Sequence, residues 1–293
     1  MSFLSYLIKG ISLGSVYSII ALGYTMVYGI AKMLNFAHGD VIMVGGFAIY
    51  SLMSIAGLNP ILSVLLTVII CTVLGVTIES IAYRPLRKAS SLAVLITAIG
   101  VSYLLQNLAL LIYGANPKSF TSVIKVPALK LAEGRLTITG ETLVTIPLCI
   151  IIMVVLNIFI KKSKIGRSMI AVSEDKDAAV LMGVNVNKTI AITFAIGSAL
   201  AAVASALMFS AYPALSPTAG AMPGIKAFVA AVFGGIGSIP GAMIGGILLG
   251  IIQILSSAYI SSQLADAIVF LILILVLLIK PTGIMGKQLH EKV

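Results

Sequence analysis

Residues 161–188 read KKSKIGRSMIAVSEDKDAAVLMGVNVNK, the longest polar interruption of the chain that joins a basic cluster to a helix-forming pattern. The basic cluster consists of Lys161, Lys162, Lys164 and Arg167. Lys and Arg beside a membrane span mark its cytoplasmic side, because translocation of positive charge during insertion is disfavoured. We therefore predict that residues 161–188 face the cytoplasm.

The second half of this stretch predicts one short helix outside the lipid. Ser173 suits the N-cap position, and the acids Glu174, Asp175 and Asp177 fall in the first turns, where the helix dipole favours negative charge. Gly183 suits the left-handed residue just past a helix end. The pattern thus gives the helix a beginning and an end.

The predicted helix carries a small apolar patch beside its acids, made of Ala178, Ala179, Val180 and Met182. Such a patch suits docking into a cleft on another protein. An ordinary solvated loop helix explains the pattern equally well. The choice between the two depends on the rest of the chain.

The composition of the whole chain indicates a polytopic integral membrane protein. The 293 residues are 60% hydrophobic and 10% charged, with a mean hydropathy of +1.16. The first apolar run, Ile11–Ile30, is longer than the apolar core of a signal peptide, so we interpret it as a retained span. The net charge of +10 is carried by the loops, where topology and anionic lipid explain it, and nucleic acid is not implied.

The two cysteines, Cys71 and Cys149, lie within apolar runs and have no metal-ligand or redox spacing. We interpret them as small packing residues, and the sequence predicts neither a metal site nor catalytic residues. Glycine pairs such as Gly45-Gly46 and Gly245-Gly246 within apolar runs indicate helices that pack closely through small residues.

A helix needs about 20 residues to span the hydrocarbon, and irregular backbone cannot face lipid. The fold class is therefore an all-α polytopic transmembrane helix bundle, formed as a single domain over residues 1–293. The predicted spans are Ile11–Ile30, Val41–Ile55, Ile61–Ile81, Leu92–Ile112, Leu143–Ile160, Thr189–Ala211 and a final run that ends at Ile279.

Two stretches do not fit this pattern of spans. Ala31–Asp40 is too polar to lie in mid-bilayer lipid, and Gly224–Leu255 is too long for one span and is interrupted at Gly234–Gly241. We expect both interruptions to lie against protein or along a translocation path, with tight cytoplasmic turns as the alternative. The residues concerned are Asn35, His38, Gly39, Asp40, Gly234, Gly235, Gly237 and Gly241.

Counting spans from the basic loop at Arg84, Arg87 and Lys88 predicts the orientation. Residues 114–142 then lie outside, and their turn signals and alternating pattern indicate an external loop with a small hairpin. The N-terminus is outside, and the basic C-terminal tail is inside if Gly224–Leu255 crosses twice. The count gives nine spans, or eight if one segment is re-entrant.

Four polar residues lie in or beside the predicted spans. Glu79 and Asp266 are near span ends, where we expect them to reach water. Gln106 and Asn107 lie deeper, and each suits either a helix-to-helix hydrogen bond or a substrate contact. These deep positions offer amides and hydroxyls but no charge.

Residues 34–40, LNFAHGD, followed by Gly45-Gly46, resemble the N-terminal signature of permease subunits from ABC importers of branched-chain amino acids. The resemblance continues in the same order through residues 166–186, the small-residue span from Phe194 and the run FGGIGSIPGAMIGG at residues 233–246. It therefore covers nearly the whole chain, and it fits the smaller of the two permease types.

The resemblance gives residues 161–188 a role as a cytoplasmic coupling segment. Asp177-Ala178-Ala179 and Gly183 keep the spacing of the motif by which ABC permeases engage their ATPases, although Asp stands where Glu is usual and the later Leu-Pro is absent. The expected ATPase-coupling residues are Gly166, Arg167, Glu174, Asp175, Asp177, Ala178, Ala179 and Gly183.

Family membership would imply a division of labour among several chains. The expected partners are a second, dissimilar permease subunit, two ABC ATPase subunits, an external solute-binding protein, a small amino-acid substrate and the lipid bilayer. The chain has no Gly-x-x-x-x-Gly-Lys-Ser/Thr phosphate loop, so we expect it to bind no cofactor and ATP with Mg²⁺ to reside on the ATPases. The expected location is the plasma (inner) membrane of a bacterium or archaeon.

Other classes of function remain open at this point. An ion-coupled transporter or a channel would need an intramembrane acid or charge pair. A membrane enzyme would need a catalytic constellation, and His38 beside Asp40 is more typical of a polar turn. Within the importer class, Leu, Ile and Val suit path walls of small apolar residues, while urea, amides or other amino acids are alternatives.

Overall fold

The computed structural model describes residues 2–87, 89–131 and 136–286. Part of the basic loop, of the predicted external hairpin and of the C-terminal tail lies outside this part of the chain, and the positions of the residues concerned stay predictions. They are Lys88, Glu133, Gly134, Arg135, Lys287, His290 and Lys292.

Helices make up most of the structure. Within the described residues they are α1 (Ser2–Ala31), α2 (His38–Tyr50, continued by a π-helical turn at Ser51–Ile55), α3 (Pro60–Ile78, continued by a π-helical turn at Glu79–Tyr83 and a 3₁₀ turn at Arg84–Leu86), α4 (Ser91–Tyr113), α5 (Gly140–Lys162), α6 (Lys164–Glu174), α7 (Lys176–Leu181), α8 (Val186–Ala211), α9 (Ala221–Gly234), α10 (Ile239–Tyr259) and α11 (Ala265–Ile279).

Seven helices in the described part of the chain are long and apolar enough to cross a membrane, namely α1, α2, α3, α4, α5, α8 and α10. The helices α9 and α11 are shorter but equally apolar, at 14 and 15 residues. The predicted all-α polytopic bundle is confirmed. Gly224–Leu255 forms two helices, α9 and α10, as its length and glycines predicted.

Local sequence explains where several of these helices begin. Asn59, Ser90 and Ser238 each accept a hydrogen bond from a backbone N–H in the first turn of α3, α4 and α10, respectively. Proline also occupies the first turn of α3 and α10, where its missing N–H leaves no intrahelical bond unmade. The span boundaries thus follow from capping chemistry as well as from hydropathy.

The helix α1 lies at the centre of the bundle and is buried along most of its length. It packs against α10 so closely that a Cβ placed at Gly14 would lie 2.6 Å from the Cα of Ile247 and 2.8 Å from the carbonyl oxygen of Gly246. The hydroxyl of Ser18 donates to the carbonyl of Met243 over 2.8 Å. Small residues therefore bring the two backbones into direct contact.

Short strands order the segment between α4 and α5. The pair β2 (Leu129–Leu131) and β3 (Leu136–Ile138) is antiparallel, so the predicted hairpin is confirmed. A second antiparallel pair, β1 (Lys118–Ser119) with β4 (Ala214–Leu215), joins this segment to the chain that follows α8. The sequence did not predict this second pair, since two-residue strands carry no periodic signal.

Candidate functional site

Residues 161–188, which the sequence predicts to face the cytoplasm, contain two short helices where one was predicted. Ser163 caps α6 by accepting a hydrogen bond from the N–H of Gly166 over 2.8 Å. Asp175 caps α7 by accepting from the N–H groups of Asp177 and Ala178 over 2.9 and 3.0 Å. Because an aspartate at the junction satisfies these donors, the helix restarts at Lys176.

The prediction that Ser173 caps the helix is therefore wrong. Its hydroxyl donates instead to the carbonyl of Ile170 one turn earlier, inside α6. Glu174 is the last residue of α6 and not part of a first turn, whereas Asp177 does lie in the first turn of α7. Glu174 and Asp177 are close in sequence, but one lies at the C-terminal end of α6 and the other at the N-terminal end of α7.

The end of α7 is as predicted. Gly183 has a φ of +80°, the left-handed conformation that glycine adopts without strain. The N–H of Val184 then donates to the carbonyl of Ala179 over 2.9 Å and turns the chain towards α8. Ala179 is buried against the protein, so it anchors α7 and does not belong to a free patch.

An exposed apolar surface stands on the other side of α7. The exposed fractions of Val180, Leu181 and Met182 are 56%, 88% and 84%. Other exposed residues of the two helices are Arg167, Glu174, Asp177 and Ala178. Gly166 is buried, because the first turn of α6 packs closely against the backbone of Ile160. These side chains lie outside the candidate spans, so burial in lipid does not explain their exposure. We refer to Val180–Met182 as the α7 patch.

Lys176, which the sequence analysis did not single out, ties α7 to the membrane bundle. Its ammonium group donates to the carbonyl oxygen of Ala31, the last residue of α1, over 3.0 Å. Burial lowers the pKa of Lys176, and the neighbouring charges of Arg87 and Lys32 lower it further. The hydrogen bond satisfies a carbonyl that the end of a helix otherwise leaves unpaired.

A buried ion pair lies beside this contact. The carboxylate of Glu79 is fully buried and binds both Arg84, over 3.2 Å, and Arg87. Arg87 also donates to the amide oxygen of Asn187 at the start of α8. The expectation that Glu79 reaches water is therefore wrong, because the two arginines that follow it fold back and supply its partners.

The first predicted interruption is a real break between α1 and α2. It begins with Lys32, whose φ of 57° is positive, and it is buried in its second half. Asn35 accepts a hydrogen bond from the hydroxyl of Tyr83 over 3.0 Å, and both side chains are buried. The imidazole of His38 packs edge-on against Tyr24, with 4.7 Å between ring centroids. This break is a packed element and not a tight surface turn.

The break brings two helix beginnings together. A Cβ added to Gly39 would lie 2.6 Å from the carbonyl oxygen of Gly220, and one added to Gly224 would lie 2.8 Å from the Cα of Gly39. The first turn of α2 therefore touches the first turn of α9, backbone against backbone. The sequence predicted close packing at Gly39 but gave no sign of its partner, which lies about 180 residues later.

Asp40 forms the link from this contact to α4. Its side chain is almost fully buried, and Gln106 donates an amide hydrogen to it over 2.9 Å. Gln106 thus makes the helix-to-helix hydrogen bond that was one of its two predicted uses. Asn107 instead donates to the carbonyl of Tyr103 within its own helix and remains exposed.

The second interruption is tight only at its ends. The backbones of Gly234 and Gly241 touch, and the N–H of Met285 donates to the carbonyl of Gly234 over 2.9 Å. Gly235 and Gly237 both have positive φ angles, but Gly235 is buried and Gly237 is exposed. Burial therefore holds for part of this stretch, while its middle is an exposed turn.

The prediction that the deep positions carry no charge is wrong. Asp40 is a buried acid, and Lys226 in α9 pairs with Asp266 at the start of α11 over 2.7 Å. The interior of the bundle therefore contains ionisable side chains as well as amides and hydroxyls. Lys226, a single base within an apolar run, was the available sequence signal for this pair.

The cysteines form neither a disulfide nor a metal-binding group among the described residues. Cys71 and Cys149 are buried and unpaired thiols that pack within the bundle, as predicted. Among the residues that the structure describes, no three His, Cys, Asp or Glu side chains come together as a metal-binding group.

Long apolar helices, two shorter ones and a polar helix pair between α5 and α8 define a helical, multi-pass membrane protein. Residues 6–277 match the family described as "Branched-chain amino acid transport system / permease component", and the chain belongs to this family. The resemblance seen in its motifs is therefore confirmed.

Curated relatives extend over the same length. The chain is 44% identical to the high-affinity branched-chain amino acid transport system permease protein LivH of Escherichia coli (strain K12), over 99% of this chain and 98% of that protein. It is 41% identical to the permease protein BraD of Pseudomonas aeruginosa, over the same shares. A probable branched-chain amino acid permease of Methanocaldococcus jannaschii is 28% identical, over 92% and 88%. No solved structure matches the chain.

Proposed function

We propose that this chain is a permease subunit of an ATP-driven, binding-protein-dependent importer of Leu, Ile and Val. Its partners are a second, dissimilar permease, two ATPase subunits and an external solute-binding protein. ATP and Mg²⁺ bind to the ATPases, and this chain contributes the path and no cofactor. The proposal extends to this chain the family assignment and the transport function for which the relatives are named.

The observation that carries the proposal is the α7 patch. Three large apolar side chains stand exposed on a six-residue helix that is capped at both ends and tied to the bundle. Exposed apolar clusters rimmed by polar groups mark protein interaction sites. A groove on an ATPase subunit is the partner we assign to this patch.

The contacts around α7 suggest how ATP binding reaches the membrane. When the ATPases close, α7 moves with them, and Lys176 passes the movement to Ala31 at the end of α1. The break that follows Ala31 leads to Gly39, where α2 meets α9. A shift of these helix beginnings would alternate access to the path, to the extent that the contacts differ in free energy between the two states.

The substrate follows from the family and from the character of the bundle. Walls of small and branched apolar residues let a small apolar amino acid pass without binding it tightly. Selection of Leu, Ile and Val then rests mainly on the solute-binding protein. Urea, amides and other amino acids are alternative cargoes for the same architecture.

The same proposal fixes an orientation in the plasma membrane of a bacterium or archaeon. The N-terminus is outside and the C-terminus is in the cytoplasm, since α6 and α7 must face the ATPases. The strands β1 to β4 then lie outside, where the binding protein docks. The basic residues of the α6 start agree with this orientation.

An ion-coupled transporter is the second candidate, because the buried Asp40 and the Lys226–Asp266 pair are groups that such a protein needs. The two candidates use different energy sources. Uptake that survives without the ATPases and collapses with the proton gradient would favour ion coupling.

The decisive experiment is reconstitution of the chain with its cognate subunits in proteoliposomes. We expect leucine uptake to require both ATP and the binding protein. The Leu181→Glu variant should lose copurification with the ATPases. Ile244→Glu is the control: it places the same charge at an equally apolar position within a membrane span, and so shows the effect of impaired membrane insertion. Uptake by Leu181→Glu at the unmutated rate would contradict the docking role.

A further inference from the structure

Four polar side chains from four helices meet on one side of the bundle. The ammonium of Lys226 in α9 lies 2.7 Å from Oδ1 of Asp266 in α11. The amide of Gln253 in α10 donates to the same oxygen over 3.4 Å, and the hydroxyl of Tyr17 in α1 donates to Gln253 over 3.0 Å. We call these four residues the α11 cluster.

The α11 cluster lies at hydrocarbon depth. Tyr17 is midway along α1, about 21 Å of helix from Ala31. The hydrocarbon core is about 30 Å thick, so a cytoplasmic end of α1 at the interface places Tyr17 and its partners beyond the midplane but still inside it. An ionised group at this depth is costly unless protein or water surrounds it.

Exposure within the pair is uneven. The side chain of Lys226 is 9% exposed, whereas that of Asp266 is 41% exposed. Lipid is a poor neighbour for this half-open carboxylate, because an ionised side chain is costly in the hydrocarbon region. Water or another protein must therefore cover the open side of Asp266.

The open carboxylate has unused acceptor capacity. An ionised carboxylate has about four acceptor positions on its two oxygens. Within the described part of the chain, the hydrogen bond and ion pair made by Asp266 both involve Oδ1. The remaining positions suit a primary ammonium group with its three donors.

We infer that Asp266 is a contact for the α-ammonium group of an amino acid on a water-filled translocation path, and that Lys226 and Gln253 position its carboxylate. This inference rests on the proposed import of amino acids and adds the site of contact. A zwitterion brings no net charge to the site, and the Lys226–Asp266 pair is itself neutral overall. The substrate therefore enters without the cost of an isolated charge.

The location of Lys226 links this site to the helix break. It lies in α9 two residues beyond Gly224, which touches Gly39 of α2. Any shift of the α2–α9 contact therefore changes the position of the ammonium that holds Asp266. Release of the substrate thus follows from the same movement that alternates access.

Thiol protection tests the inference in the reconstituted complex. The Phe270→Cys variant places a thiol on a half-buried residue one helical turn from Asp266 and on the same face of α11, in a background in which Cys71 and Cys149 are replaced by alanine. We expect a charged, water-soluble thiol reagent to label it, and leucine to slow labelling at least about tenfold. 4-Methylpentanoate, which has the leucine side chain but no ammonium group, should give no protection. The Leu275→Cys variant on the apolar face of α11 is the unreactive control.

Adding Asp266→Asn should abolish the protection, because the substitution keeps the shape and removes the charge. Asp266→Asn should also slow leucine uptake about tenfold or more, the effect of losing one charge-assisted hydrogen bond, while Asp266→Glu restores part of it.

Three results would overturn the inference. The first is an unreactive Phe270→Cys thiol, which puts lipid or a partner subunit against Asp266. The others are labelling that leucine does not slow and equal protection by 4-methylpentanoate. Leucine uptake by the unsubstituted complex separates this outcome from the proposed function. If uptake is normal and protection is absent, only the contact at Asp266 is wrong. If uptake itself is absent, the proposed import fails.

Discussion

The ammonium group of Lys176 donates a hydrogen bond to the carbonyl oxygen of Ala31 over 3.0 Å, which joins the first turn of α7 to the last turn of α1. The carbonyl belongs to a helix end whose acceptors have no partner within the helix. A movement of α7 therefore acts first on Ala31, the residue immediately before the break between α1 and α2.

Replacing Lys176 should uncouple ATP hydrolysis from transport. Lys176→Met keeps the aliphatic stem and removes the donor, at a cost of about 1 kcal/mol for a partly exposed charged hydrogen bond, so we expect leucine uptake to fall about fivefold. Lys176→Arg keeps a donor and should retain most of the uptake. ATPase activity and uptake measured in the same proteoliposomes give the coupling ratio. An unchanged ratio in Lys176→Met would exclude a coupling role for this contact.

The cap of α7 should matter more than the charge beside it. Asp175→Ala removes the acceptor for two backbone N–H groups and should destabilise the helix by about 1 kcal/mol. Asp175→Asn keeps a good cap and should behave like the unsubstituted chain. Glu174→Ala, which removes the neighbouring acid without touching the cap, is the matched control.

Binding-protein-stimulated ATPase activity measures these effects, and only Asp175→Ala should lower it. If Asp175→Asn and Glu174→Ala are impaired as strongly, charge and not capping is what the ATPases recognise. Gly183→Pro should impair coupling as well, because proline cannot adopt the φ of +80° found there.

The backbone contact between α2 and α9 should not tolerate a side chain. Gly39→Leu forces atoms against the carbonyl of Gly220, and such overpacking costs about 1–3 kcal/mol or more. We expect loss of transport with retained membrane insertion and a lower melting temperature in detergent. Gly100→Leu is the control, since a Cβ there meets nothing within 4 Å. Near-normal uptake by Gly39→Leu would show that the contact is permissive.

Buried glycine at the second interruption gives a parallel test. Gly235 has a φ of +105°, and a Cβ there would lie 2.3 Å from the backbone nitrogen of Gly286. Gly235→Leu should therefore abolish transport. Gly237 also has a positive φ, but a Cβ there would meet open space. Gly237→Leu therefore separates the effect of backbone strain from that of crowding. An equal loss of transport in both variants would assign the effect to strain.

Thiol labelling of intact cells tests the orientation. Phe3→Cys and Met285→Cys place thiols on exposed residues near the two ends of the described chain. An impermeant reagent should label Phe3→Cys from outside and leave Met285→Cys unlabelled. Lys125→Cys in the external loop and Lys164→Cys in α6 are the controls for the two sides. Labelling of both terminal positions from outside would indicate an even number of crossings.

Hydropathy was enough to predict the bundle. The length of apolar runs predicted the spans, and the glycines near Gly235 predicted the division of Gly224–Leu255 into α9 and α10. Gly183 was predictable because only a left-handed residue ends α7 in this way. These features are local, so neighbouring residues determine them.

Pairings between distant residues were not predictable in the same way. The burial of Glu79 depends on how Arg84 and Arg87 fold back, and the role of Lys176 depends on a carbonyl 145 positions earlier. Helix-start preference gave no reason to choose Asp175 over Ser173 as the cap. A single sequence shows which polar residues are present but not which of them pair with each other.

The contact between α1 and α10 has a consequence for how the protein is made. The helix α1 leaves the ribosome before α10 and presents Gly14 and the hydroxyl of Ser18, whose partners at Gly246 and Met243 are synthesised more than 220 residues later. Until α10 arrives, the central helix of the finished bundle has no permanent neighbour on that face. Assembly is therefore completed from the C-terminal side, and a chain cut short before α10 leaves its centre open to quality-control proteases.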